Sequence, residues 1–174
     1  VAVIWLNGTI GSGKTAVGRA LAEMLRRAVF MDGDDHAGGE HLPVKHRWDI
    51  ATATLIRAVT KCGISKTLVV AYPLQASGYI RLRTACARAH RALLVVNLAP
   101  PLSMTLRSRG GRTLDAGERA RIRVMRSEGY HRRRFADVTL ANAVPPARRT
   151  AVAVIKYCHA RGHALGERLV RTGK

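Results

Sequence analysis

Three groups of residues in this sequence have the types and spacing to do chemistry on a phosphate. The first is Gly8-Thr9-Ile10-Gly11-Ser12-Gly13-Lys14-Thr15, which fits the phosphate-binding pattern G-x-x-x-x-G-K-[ST]. Gly8, Gly11 and Gly13, with Ser12 among them, let backbone N–H groups turn inward around phosphate oxygens. Lys14 has the reach for β- and γ-phosphates, and the Thr15 hydroxyl is placed to ligate Mg²⁺. The second group is Asp32-Gly33-Asp34-Asp35, three carboxylates in one loop of a strongly basic chain. In an extended backbone Asp32 and Asp34 point to opposite sides, and Gly33 relaxes the backbone between them. One carboxylate could then face Mg²⁺ through water and the other an acceptor hydroxyl; the plainer alternative is an Asp-Gly turn capping the next element. The third is Arg107-Ser108-Arg109-Gly110-Gly111-Arg112, a glycine hinge carrying three guanidinium groups. Such a hinge suits a lid closing over phosphates, with arginine also able to stack on adenine; a solvated helix connection is the alternative.

The elements that must position these groups are legible around them. Val1-Ala2-Val3-Ile4-Trp5-Leu6 is a short apolar run, expected as a buried parallel strand before the glycine loop. From Ala16 to about Ala28, Val17, Leu21, Met24, Leu25 and Ala28 recur at helical spacing. The positive end of that helix adds to the phosphate-binding field. Ala28 to Met31 is a second strand that delivers Asp32 and Asp34 at its carboxyl end, where open α/β sheets bind ligands. A glycine-rich loop with Pro43 follows, read as a substrate-side loop over about 33–47. Its His36, His41 and His46 match no metal-ligand spacing. Arg47-Trp48-Asp49 is expected to open a helix with Ile50, Thr54, Ala58, Val59 and Cys62 inward, ended by Gly63. Arg47 is either a surface charge or a clamp for an anionic group.

Further strands are expected at Thr67–Tyr72, Ala92–Leu98 and Asp137–Leu140. Helices are expected from Gln75 to His90, from Asp115 to Phe135, and after Pro145-Pro146 with Val152, Ile155 and Cys158 as its apolar stripe. The third strand lacks the terminal Asp that often ligates Mg²⁺ beside a phosphate loop, which directs metal coordination to Asp32 or Asp34.

The 174 residues suit one domain with a sizeable core. No apolar run approaches the roughly 18 residues that span a bilayer. The opening run is too short, and too soon followed by glycines, to read as a signal peptide. Cys62, Cys86 and Cys158 lack the spacing of a zinc site or a disulfide framework, so a reducing, cytoplasmic setting is expected. The formal net charge of +19 attracts polyanions. The basic residues are spread and aromatics are few, so nucleic-acid binding is expected to be weak and non-specific. The sequence does not reach the oligomeric state.

Strand, phosphate loop, helix and then alternating strands and helices give a chain that resembles the compact P-loop kinases of the shikimate, gluconate and adenylylsulfate kinase group. Phe30-Met31-Asp32-Gly33-Asp34-Asp35 is similar to the "LDGD" stretch of gluconate and adenylylsulfate kinases. Asp32 and Asp34 also match the Asp-x-Asp of shikimate kinases. Arg47-Trp48 resembles the "DRW" of gluconate kinases, Val69 to Leu74 the third strand and turn of adenylylsulfate kinases, and Ala136 to Thr139 the last strand of shikimate kinases. Tyr72-Pro73 stands where shikimate kinases carry glycines. The resemblance implies an α/β, single-domain P-loop kinase fold over 1–174. Its five-stranded parallel sheet, of order 2-3-1-4-5, would be flanked by helices, with a short lid at about 107–117. It implies an ATP- and Mg²⁺-dependent phosphotransferase acting on an alcohol of a small anionic metabolite. Lys14, Asp34 and Arg112 would then be catalytic, with Asp34 taking the acceptor proton. Gly8, Gly11, Ser12, Gly13, Lys14, Thr15, Arg107 and Arg109 would bind the nucleotide, and Thr15 and Asp32 the metal. Asp34 and Arg47 would bind the acceptor. A 5′-hydroxyl nucleic-acid kinase and a non-catalytic nucleotide-binding protein are the alternatives.

Overall fold

The computed structural model of the chain describes residues 2–39, 41–107, 113–143, 146–163 and 165. Five strands form one parallel sheet: β1 (Ala2–Asn7), β2 (Ala28–Asp32), β3 (Thr67–Ala71), β4 (Ala92–Leu98) and β5 (Val138–Leu140), in the order β2-β3-β1-β4-β5. The helices are α1 (Lys14–Met24), α2 (Val44–Lys61), α3 (Ala76–Arg88), α4 (Leu102–Thr105), α5 (Ala116–Ser127) and α6 (Ala147–Ala160), with a single 3₁₀ turn at Asp34–His36. The α/β class and strand order are those the resemblance implies.

Each strand's period of two divides the core into layers. On one face Val3, Trp5, Leu68, Val70 and Val95 meet Ala51, Leu55 and Val59 of α2 and Leu82 and Cys86 of α3. On the other, Ile4, Leu6, Val69, Leu94 and Val96 meet Val17 and Leu21 of α1 and Val154 and Cys158 of α6. With both faces covered, β1 and β3 are buried at every position. Each pair is in parallel register, Ile4 opposite Val69 and Leu94. All five carboxyl ends therefore lie along one edge, where the chemistry-bearing loops begin.

Three helix boundaries and faces differ from the sequence reading. Helix α2 starts at Val44, not Arg47, because Pro43 supplies a fixed φ and its carbonyl accepts from Arg47 N at 3.1 Å. Its buried face is Ala51, Leu55 and Val59; Val59 is as expected, while Ala51 and Leu55 take the places expected of Ile50 and Thr54, and Ile50 is 41% exposed. Helix α5 stops at Ser127 instead of Phe135. Gly129 there adopts φ 78°, Gly129 N donates to Arg126 O at 3.0 Å, and Tyr130 N donates to Met125 O at 3.1 Å. This is a Schellman motif, and it delivers Tyr130 to the functional edge. At the α5 start Asp115 and Glu118 form a reciprocal capping box, with Glu118 N donating to Asp115 Oδ1 at 2.7 Å. Arg91 is buried as well. Its guanidinium donates to the carbonyls of Val59, Cys62 and Lys66, which satisfies the end of α2 and the turn after it. No helix of the described residues is long and apolar enough to cross a membrane.

Candidate active site at the carboxyl ends of the strands

Gly8 leaves β1 and the loop closes at Gly13, the N-cap of α1, whose φ of 89° is left-handed. A side chain at Gly13 would place Cβ 2.5 Å from Asn142 Nδ2, and one at Gly11 would place it 2.7 Å from Thr105 O. Glycine is needed at both positions by conformation and by space. Asn142, itself at φ 43° just after β5, donates from Nδ2 to Ser12 O at 2.6 Å and accepts from Thr150 Oγ1 at 2.6 Å. The β5–α6 connection thus ties the phosphate loop to α6. Ser12 Oγ is buried without a protein partner among the described residues. Lys14 Nζ lies back over the loop, donating to Thr9 O at 2.8 Å and Gly8 O at 3.3 Å.

Thr15 Oγ1 donates to Asp32 Oδ2 at 2.6 Å, across from α1 to the end of β2. Asp32 Oδ1 accepts from Asp34 N at 3.2 Å, so the same carboxylate also holds the turn that follows. One side chain thus meets both the Thr15 hydroxyl and the backbone of the turn after β2. The Thr15–Asp32 pair is an oxygen donor set of the kind Mg²⁺ uses, one carboxylate and one hydroxyl beside a phosphate site, the remaining positions being left to water and phosphate.

Gly33 needs its missing side chain for another reason. Its φ of −68° is ordinary, yet a Cβ there would sit 2.0 Å from Tyr72 Cδ2. Tyr72 is buried at the end of β3, and Trp48 meets its ring edge-on at 6.2 Å between centroids. Burial first, then the Asp34 carboxylate, hold the Tyr72 hydroxyl proton on well beyond the usual range, against the opposing pull of Arg47. Tyr72 stays a neutral hydrogen-bond donor across the physiological range.

Lys14, Thr15, Asp32, Asp34, Tyr72 and Arg107 line one cleft of about 1210 Å³, with Trp48 and Pro73 on its far wall. The structure brings together the loop, both aspartates and Arg107. Arg47 is half-buried on α2 within electrostatic reach of Tyr72, but it is absent from the described walls of this cleft. Arg109 and Arg112 lie outside the described residues, with the rest of segment 108–112 of the expected lid. Sequence reasoning missed Tyr72, Trp48 and Asn142. Tyr72 was signalled by its place at a strand's carboxyl end; Asn142 carried only the weak signal of an asparagine after a short strand.

Beneath the site, Asn7 is a buried junction. Its Nδ2 donates to Asn97 Oδ1 at 2.5 Å and to Tyr130 O at 3.2 Å, and its Oδ1 accepts from Leu74 N at 2.8 Å. The residue before the phosphate loop is thereby bonded to β4, to the β3–α3 turn and to the turn after α5.

This fold recurs in solved structures. A shikimate kinase from Acinetobacter baumannii in complex with shikimate superposes with a TM-score of 0.65, 21% identity, and 92% of this chain and 94% of that one covered. An APS kinase from Mycobacterium tuberculosis in complex with AMPPNP and APS gives 0.66, 21%, 91% and 97%. A gluconokinase from Sinorhizobium meliloti gives 0.64, 20%, 93% and 98%. This is the fold of the P-loop small-molecule kinases. No protein-family model matches the chain, and no curated protein matches its sequence. The P-loop kinase fold is carried here by a sequence far from those of its structural neighbours.

Proposed function

We propose that this protein transfers the γ-phosphoryl group of ATP to an alcohol of an anionic small molecule. The observation that supports this best is the Thr15–Asp32 hydrogen bond of 2.6 Å, in the same cleft as Lys14 and Asp34. Loop N–H groups and Ser12 bind the β- and γ-phosphates, and Lys14 leaves the Gly8 and Thr9 carbonyls for them. Thr15 and Asp32 would hold Mg²⁺, whose contribution is to neutralise charge on the phosphate oxygens. The acceptor oxygen attacks the γ-phosphorus, the bond from that phosphorus to the β–γ bridging oxygen breaks, ADP leaves, and Asp34 takes the hydroxyl proton. Arg107 or Arg109 would serve adenine, and Arg112 the transferring phosphoryl group. Arg47, within electrostatic reach of Tyr72, acts on the acceptor side. Most of the rate enhancement comes from positioning and charge stabilisation.

The test is ADP release from Mg·ATP in the presence of gluconate, shikimate, adenylylsulfate and a pooled metabolite extract, with phosphorylated products identified by mass spectrometry. The expected result is ADP release that depends on one acceptor and survives physiological salt. Nucleotide binding with no acceptor-dependent ADP release would refute catalysis. Phosphate found on a 5′-hydroxyl oligonucleotide alone would move the acceptor to nucleic acid.

A further inference from the structure

A second cavity of about 900 Å³ lies between α2, the start of α3 and the end of α5. Trp48 and Pro73 belong to its walls and to those of the phosphate cleft. The two spaces therefore adjoin at these two residues.

The chemistry of that space is specific. Its walls carry four cations, Lys45, Arg81, Arg121 and Arg133, against two carboxylates, Asp49 and Glu128. The surplus of two positive charges suits a dianion better than a single carboxylate. Two of the guanidinium groups are held by stacking. Arg133 lies 3.9 Å from the Tyr130 ring centroid and donates to Glu128 O at 3.0 Å. Arg121 lies 5.2 Å from the Trp48 ring and 3.6 Å from Glu128 Oε1. A stacked guanidinium keeps its planar donor fork fixed, so less entropy is lost when an oxyanion binds. The wall is aromatic, Trp48 meeting Tyr130 edge-on at 5.9 Å. The volume stands near the top of the range of about 300–1,000 Å³ for drug-sized ligands, so a six- or seven-carbon acid leaves most of it unfilled. Arg47, the candidate anion clamp from the sequence, is absent from the described walls of both cavities.

We propose that the acceptor is a ring-bearing phosphate monoester whose ring lies against Trp48 and whose dianionic group docks on Arg81, Arg121 and Arg133. A phosphate monoester carries close to two negative charges at neutral pH and three acceptor oxygens, which matches the surplus and the number of forks. The site of phosphorylation rests on the kinase reading above; the docking does not.

The chain's two tryptophans make the test direct. Trp5 is fully buried in the core, so Trp48 is the one that reports on the cavity. With Mg²⁺ and saturating AMPPNP occupying the phosphate loop, phenyl phosphate is titrated while tryptophan emission is followed. The expected result is a saturable change, lost in Trp48→Phe, with phenol and inorganic phosphate binding roughly tenfold or more weaker. Arg121→Ala and Arg133→Ala should each weaken phenyl phosphate about tenfold and leave AMPPNP affinity unchanged. Arg81 is exposed on α3, so Arg81→Glu keeps the fold and serves if the stacked arginines prove necessary for folding; it should weaken phenyl phosphate at least as much. Absence of a saturable change in wild-type protein that binds AMPPNP normally would overturn the proposal and leave the kinase reading intact. So would a change unaffected by Arg81→Glu. Failure of the wild type to bind AMPPNP would instead strike the kinase reading. A 5′-hydroxyl oligonucleotide displacing phenyl phosphate at a hundredfold lower concentration would overturn the proposal in favour of nucleic acid.

Discussion

Gly33→Ala adds one methyl group to a position with an ordinary helical backbone, and it should nonetheless be among the most damaging changes in the site. The added Cβ would lie 2.0, 2.2 and 2.8 Å from Cδ2, Cγ and Cβ of Tyr72. Carbon atoms at rest stand about 3.5–4.0 Å apart, so one side must move by about 1.5 Å. Neither side moves freely. Gly33 N donates to Ala71 O at 3.1 Å, Tyr72 N to Leu6 O at 3.2 Å, and Trp5 Nε1 to Tyr72 O at 2.8 Å. Overpacking of this kind costs about 1–3 kcal/mol, and the fixed backbone places this case near 3. For a chain of this length that is a fall in Tm of about 6–12 °C. The assay is a double-mutant cycle by urea unfolding. Tyr72→Ala alone should cost about 3–5 kcal/mol as a cavity. In that background Gly33→Ala should be neutral, or stabilising by about 0.4–1 kcal/mol through reduced freedom of the unfolded chain. The expected coupling is therefore about 3 kcal/mol. Equal destabilisation by Gly33→Ala in both backgrounds would refute the steric argument.

Three further outcomes are expected. Lys14→Ala should keep the fold and raise the barrier to acceptor phosphorylation by about 3–4 kcal/mol, read as lost turnover in coupled ADP release; wild-type turnover would remove Lys14 from the reaction. Asp34→Asn should lower kcat with little change in the KM for ATP, whereas Asp32→Asn should raise the Mg²⁺ concentration needed for half-maximal activity, because Asp32 accepts from Thr15; swapped effects would exchange the two roles. Burial, opposed by Arg91 at Cys86 and assisted by Asp137 at Cys158, pushes both thiols up to about 11. In the unfolded chain they ionise first, so stability contributed below about pH 9 should be lost as pH rises from 9 towards 11, at up to about 1.4 kcal/mol per pH unit for each thiol. Urea unfolding at pH 8 and 10.5 should show this slope flattened in Cys86→Ala and Cys158→Ala.

The parts that were readable in the sequence share a cause. The phosphate loop, the strands and Asp32–Asp34 are set by short-range chemistry: glycine spacing, apolar runs and residues adjacent in the chain. Asp32 Oδ2 lies 2.6 Å from Thr15 Oγ1. What escaped depends on contacts between distant segments. Nothing near Tyr72 in the chain announces that its ring fills the space over Gly33, and nothing near Asn142 announces its bond to Ser12. Nothing near Arg91 in the chain announces its burial, because the three carbonyls it satisfies belong to residues 59–66. Gly129 was readable, since a glycine after a basic helix is a stop signal, but the run of arginines on either side made one long helix look plausible. Arg47 followed its resemblance to a known motif, while Arg121 and Arg133 needed the aromatic rings beneath them to be recognised as more than solvated charge.

The central place of β1 has a cost during synthesis. Leu6 pairs with Ala71 on one side and Val96 on the other. Of the strands in this sheet, β1 therefore waits longest for its neighbours. At about 5–20 residues per second, the roughly 65 residues separating Leu6 from its first partner take about 3–13 s to emerge. Throughout that interval Ala2-Val3-Ile4-Trp5-Leu6 is an apolar, uncharged, proline-free segment with both edges unpaired, which is the composition that seeds intermolecular β-pairing. The glycines that follow it shape a phosphate site in the finished molecule, and in the nascent chain they interrupt that segment before it can lengthen.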